Sequence, residues 1–277
     1  MPDTGPTLLS GTPEGTQGRV FDTLHLVRPP DVAAARKRVI IMSYSEVDLR
    51  PAIQFDETTR GDFVVRVYQH LLGAIAAFAA IEALFINVGI SGRIYDFVAR
   101  GGGLTWLLVL GGFMAGQWIV TNAAMDLLNP QRQYAGLLGS AALYAVLFAP
   151  MMHYFFEIAD GGETSVMAAA LITAVGFSGL TLVAFVTRKD LSFLRPIVMY
   201  GFVAALALIV GALVFGLSLG IWFSVAMIAL TGAAILYQTQ TIIREFPVVA
   251  HVGAALALFS SVMTLFYYVL SLFIGRD

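Results

Sequence analysis

The chain has 277 residues, of which 58% are hydrophobic and only 12% charged, with a net charge of −2 and no cysteine. A soluble domain carries about 45–50% apolar and about 25% charged residues, so a soluble enzyme and a disordered chain are both excluded and an integral membrane protein is indicated. The same counts leave no basic surface for nucleic acid, no disulfide or thiolate chemistry, and only His25, His70, His153 and His251 as imidazole donors; no metal or cofactor is expected.

Residues 1–62 hold seven of the sixteen basic and nine of the eighteen acidic residues. The first eighteen are rich in Gly, Pro and Thr with little to bury, which reads as a disordered tail. No basic stretch followed by an apolar run is present, so no cleavable signal is expected. Asp31 could cap a short helix over 32–38, and Val39–Met42 is too short to span a bilayer. The expected organisation is a largely disordered cytoplasmic extension over 1–62 and a seven-helix transmembrane domain over 63–277.

A span needs about 20 apolar residues to cross ~30 Å of hydrocarbon. Breaks at charge, Pro and Gly clusters place seven spans at 64–88, 104–127, 134–158, 166–186, 194–215, 220–243 and 248–274. The fold class is therefore all-α, a polytopic seven-helix bundle, with the last segment the one that could re-enter instead of crossing. Arg188, Lys189 and Arg195 flank the loop between spans four and five and Arg244 follows span six, whereas the loop around 159–165 has no Lys or Arg. Placing the N-terminus in the cytoplasm puts 13 basic residues inside and leaves only Arg93, Arg100 and Arg276 outside. The N-terminus is expected inside and the C-terminus outside, in a bacterial inner membrane.

Ionisable residues within spans are functional hints because each is costly in hydrocarbon. Glu82 falls in the outer third of span one, Asp126 near the inner end of span two and Glu157 near the outer end of span three. Gln117, Thr121, Asn122 and Asp126 form a polar stripe at helical spacing, which faces protein or a cavity. His153 and Glu157 are four residues apart and share a helix face, where they are read as interfacial residues reaching water. Gly112 and Gly116 form a common helix-packing motif, and Pro150 removes a backbone donor, so a kink is expected.

Gly176-Phe177-Ser178-Gly179 in span four and Ala250-His251-Val252-Gly253 opening span seven resemble the dyad of rhomboid intramembrane proteases. Ser178 lies roughly 12 Å from the inner end of its helix at ~1.5 Å per residue, whereas His251 sits near the inner surface. The favoured reading is that the small residues let helices approach closely and that Ser178 bonds its own backbone.

Thr187-Arg188-Lys189-Asp190-Leu191-Ser192-Phe193-Leu194 joins spans four and five, and Ala234-Ile235-Leu236-Tyr237-Gln238-Thr239-Gln240 lies late in span six. With Gly176–Leu180 and Pro150, these segments resemble the Bax inhibitor-1/YccA family, also called the transmembrane Bax inhibitor motif family, over roughly residues 64–277. In the loop, Arg188 and Lys189 suit a helix C-terminus at the cytoplasmic face, and Asp190 or Ser192 can cap the next helix.

The resemblance implies a non-enzymatic seven-helix protein. It also implies a pH-sensitive calcium leak in which an acidic residue after the span-six tyrosine pairs with another in span seven. Those positions are Gln238 and Ser261 here. A neutral pair cannot titrate, and calcium wants six to eight oxygens, usually with carboxylates among them. Gln238 and Ser261, with Gln240, Ser260 and Thr264 nearby, are expected to make a neutral contact between spans six and seven. The expected role is regulator or partner of membrane proteins, membrane-bound proteases included, or a weak ion leak without the pH switch. A proton- and calcium-responsive channel, and a serine protease using Ser178 and His251, are the alternatives.

Overall fold

The computed structural model describes residues 48–187 and 189–274. The expectations placed on residues 1–47, Arg188 and Arg276 lie outside the described residues. Seven helices follow in order: α1 (Glu57–Asn87), α2 (Ile90–Ala124), α3 (Pro130–His153), α4 (Gly162–Val186), α5 (Leu194–Phe215), α6 (Gly220–Glu245) and α7 (His251–Ser271). All seven are long and apolar enough to cross a membrane. The chain is an all-α, multi-pass integral membrane protein. Helices suit this setting because each satisfies its own backbone hydrogen bonds where water is absent.

The expected boundary at 62/63 falls inside α1 and needs correction. Asp56 caps the helix six residues earlier, its carboxylate accepting from the Thr59 backbone N–H at 3.1 Å and from the Thr58 and Thr59 hydroxyls. Upstream, a 3-10 turn at Ala52–Gln54 docks on the bundle. Ala52 is buried, and its N–H donates to the Phe246 carbonyl at 2.9 Å. Residues 51–62 therefore belong to the helical domain, because capping and docking do not need the apolar run that marks a span.

α2 begins fourteen residues before its expected span. Gly102 has φ 59° and ψ −149°, and it separates an N-terminal helical segment from the membrane-crossing part. Only glycine takes that conformation without strain. The first segment carries Arg93, Asp96 and Arg100, and Arg100 pairs with Asp96 at 3.4 Å. The helix is real but polar, which is why it read as a loop.

Pro150 is buried within α3, and the irregularity near it takes the form of a π turn at Tyr154–Ile158 rather than a break. The Ala159 N–H donates to the Tyr154 carbonyl at 2.8 Å, closing this wider turn. The extra residue turns Phe155 inward and leaves Glu157 exposed. The ring of His153 lies beside that of Tyr95 of α2, tilted by 47° with centroids 5.1 Å apart. His153 is half-buried and Glu157 exposed.

α7, the span whose crossing was least certain, is the core. Its 21 residues give about 31 Å at 1.5 Å per residue, and Val252–Ala255 and Phe259 are almost fully buried. An aromatic hub holds it to its neighbours. The Phe148 ring of α3 lies 5.2 Å from Phe78 of α1, and 5.4 and 5.3 Å from Phe266 and Tyr267 of α7. With lipid tails as apolar as leucine, this contact stabilises by close packing rather than by escape from water.

The α2–α3 seam uses glycine differently from the expected motif. A Cβ at Gly116 would meet Leu143, but one at Gly112 would meet nothing within 4 Å. The close approach instead comes from α3, where a Cβ on Gly136 would stand 2.5 Å from the Val120 carbonyl. At the edge of the bundle, α5 packs on α6 through Gly201 and leaves Tyr200, Val203 and Phe215 exposed.

Candidate functional site

The two positions that the resemblance singles out meet. Gln238 sits late in α6, and Ser261 is midway along α7 and buried. The Ser261 hydroxyl donates to the Gln238 side-chain carbonyl at 2.8 Å, so the expected neutral contact exists. At the preceding residue, the Ser260 backbone carbonyl accepts from the Thr264 hydroxyl at 2.8 Å and from the Tyr144 hydroxyl of α3 at 3.1 Å. Near the other end of the same seam, the Ser224 and Ser271 hydroxyls are 2.8 Å apart. Tyr237 is half-buried and takes no part in the contact. The seam is thus stitched by uncharged groups along its length.

Gln240 was expected in this contact and is not there. Two residues on from Gln238, it points to a different face of α6, because neighbours on one face are three or four residues apart. Its amide N–H₂ donates to the Lys189 carbonyl at 2.8 Å and the Thr187 carbonyl at 3.3 Å, while its carbonyl accepts from the Leu191 N–H at 3.0 Å. Gln240 is 6% exposed, so these bonds form largely out of water. The late α6 segment and the α4–α5 loop, which the sequence presents as two separate motifs, form one clasp.

Asp190 completes it from outside. Its carboxylate accepts from the Ser192 N–H and hydroxyl, each at 3.0 Å, and from Arg244 of α6 at 3.0 Å. The Ser192 bonds, with the Arg244 guanidinium behind them, hold the Asp190 carboxyl below the ordinary aspartate range. Asp190 and Ser192 therefore close the loop on itself. Neither caps α5, whose N-cap is Phe193 with no side-chain bond.

The polar stripe on α2 divides into three unrelated contacts. Gln117 accepts from the Ser140 hydroxyl of α3 at 3.1 Å, which joins two helices. Asn122 is exposed and donates to the Trp118 carbonyl of its own helix. Asp126 lies in the α2–α3 turn, paired with Arg132 at 2.7 Å. The expectation that the whole stripe faces protein or a cavity fails at Asn122, whose bond to its own helix lets it sit on the outer surface.

Ser178 and His251 are not brought into hydrogen bond. The His251 ring lies 4.9 Å from that of His70, which in turn stacks on Tyr134. Gly176 and Gly179 meet no neighbour within 4 Å, and Ser178 lines an open groove between α1 and α4. The close helix approach expected there is absent, because α4 stands away from α1. The groove, of about 870 Å³, borders Val262, Met263 and Phe266 of α7 but is lined by no residue of α2 or α6.

A family model described as "Inhibitor of apoptosis-promoting Bax1" matches residues 60–277. An uncharacterized protein of Pseudomonas aeruginosa is 31% identical over 142 residues, covering 50% of this chain and 63% of that protein. Uncharacterized proteins of Neisseria meningitidis serogroups A and B are each 30% identical over 133 residues, covering 48% of this chain and 58% of theirs. The matched stretch thus spans less than two thirds of each relative. No solved structure matches the chain.

Proposed function

We infer the role of this chain from one premise: it belongs to the family of inhibitors of apoptosis-promoting Bax1. It acts as a non-enzymatic regulator or partner of other membrane proteins, membrane-bound proteases among them, and it lacks the family's proton-switched calcium leak. Its place is a bacterial inner membrane, with the end carrying Arg132, Lys189 and Arg244 in the cytoplasm, as the retention of basic side chains on that side favours.

The observation that carries the reading is the bond from Ser261 to Gln238. Two carboxylates at these positions would share a proton and titrate with split apparent pKa values. An amide and a hydroxyl have no proton to exchange in the physiological range, and their oxygens alone bind calcium poorly. Supporting it, no residue of α6 lines the large groove, and α5 and the start of α6 expose Tyr200, Phe215 and Trp222, which suit contact with lipid or another helix.

Calcium flux from liposomes reconstituted with the full chain tests this. The expected result is a leak with no steep change between pH 6 and 8, and a pH-dependent leak once Gln238→Asp and Ser261→Asp are combined. A wild-type leak that rises sharply with pH around neutrality overturns it.

A further inference from the structure

The groove between α1 and α4 has features the α6–α7 seam lacks. Its walls are Leu72, Ile75 and Phe78 of α1 and Phe177 and Leu182 of α4, and Met263 and Phe266 of α7 form part of its floor. Its volume of about 870 Å³ falls in the range of roughly 300–1,000 Å³ usual for small-molecule sites. Leu72 and Leu182 on its rims are exposed, so it opens sideways toward hydrocarbon.

One acid belongs to the wall of this apolar space. Glu82 is 5% exposed, lines the groove, and neither carboxylate oxygen has a hydrogen-bond partner. None of the ion pairs among the described residues includes it. On the opposite wall the Thr173 hydroxyl is also buried, also lines the groove and is also unpartnered. Buried polar groups are nearly always satisfied, and each exception calls for an explanation. Both belong to residues that line the same cavity, one from α1 and one from α4.

The lining fixes the occupant's chemistry. No Lys, Arg or His lines the groove, so an anionic head would meet Glu82 with nothing to offset the repulsion. A divalent metal would find one carboxylate where it wants several, and no cluster of three or more His, Cys, Asp or Glu occurs among the described residues. A protonated amine needs one carboxylate and a hydroxyl, and a hydrocarbon chain suits the remaining wall. We propose that the α1–α4 groove binds a single-chain amphiphile with a protonated amine head, the ammonium on Glu82 and Thr173 and the tail along the apolar walls. Glu82 lies about 7.5 Å from the outer end of α1 at 1.5 Å per residue, so such a molecule can enter from the bilayer with its head close to the interface.

The full chain in lipid nanodiscs, irradiated with a diazirine-bearing dodecylamine, reads the site directly by mapping adducts on its peptides. Adducts are expected on the α1 and α4 segments lining the groove, competed by dodecylamine and not by dodecanol or dodecyl phosphate. Glu82→Gln, close to isosteric, should lower labelling at least tenfold with an unchanged helix signal. Ala174→Phe, which fills the groove while leaving Glu82 in place, should do the same. Labelling unchanged by Glu82→Gln, equal competition by dodecanol, or displacement of the probe by calcium alone would each overturn the proposal.

Discussion

The α6–α7 seam and the α1–α4 groove are built on opposite plans. The seam is closed and neutral: hydroxyls and an amide bond one another across it, as between Ser261 and Gln238. The groove is open and apolar, and it holds a buried carboxyl with no partner. In the seam, polar groups act as connectors between helices. In the groove, they are left over after the helices have packed. Unfulfilled bonding capacity, rather than polarity itself, distinguishes a place that can receive something from a place that only holds together.

The strongest way to break the contrast is to remove what keeps the closed side closed. Phe148→Ala deletes the hub that joins α1, α3 and α7. It should lower stability by about 3 kcal/mol, the lower end of the cost of emptying a buried Phe site, measured by unfolding in mixed detergent. Next, Gln240→Leu leaves the Lys189 and Thr187 carbonyls and the Leu191 N–H without their partner. A loss of about 2 kcal/mol is expected, with faster proteolysis confined to residues 187–193. A rate unchanged there would show that the clasp does not hold the loop.

Smaller substitutions on the two sides should differ in sign. Ser261→Ala removes one satisfied bond and should cost about 0.6 kcal/mol. Glu82→Gln relieves a lone buried carboxyl and should raise stability by about 1 kcal/mol when no amine is added. Thermal midpoints of both variants in the same detergent decide this, and shifts of the same sign would erase the distinction.

The smallest effect concerns acid. Asp190 is held below the ordinary aspartate range by its bonds to Ser192 and by Arg244. Its contribution is therefore fully present above about pH 4 and fades as pH falls through its lowered value. Loop proteolysis by an acid-active protease should rise on acidification in the wild type. In Asp190→Asn the rate should start higher and change less with pH.

The spans were legible because lipid demands continuous apolar runs, and the observed helices hold all seven. The polar first part of α2 was not, since Arg93, Asp96 and Arg100 followed by Gly101–Gly103 carry the composition of a loop. At the site, the meeting of Gln238 and Ser261 was readable through the family resemblance. The task of Gln240 was not, because a helix turns about 100° per residue and two nearby amides can serve different neighbours. Which glycines matter was also hidden. Gly112 and Gly136 look alike in sequence, and only the arrangement of α2 against α3 gives one a partner.

The clasp around Gln240 grips main chain: two carbonyls and one N–H, and no side chain of the loop. A grip of this kind dictates the path of a segment while leaving its lettering free. Lys189 can change identity without loosening the carbonyl it offers, so the grip sets the loop's course over the end of α6 without reading the side chain at that position.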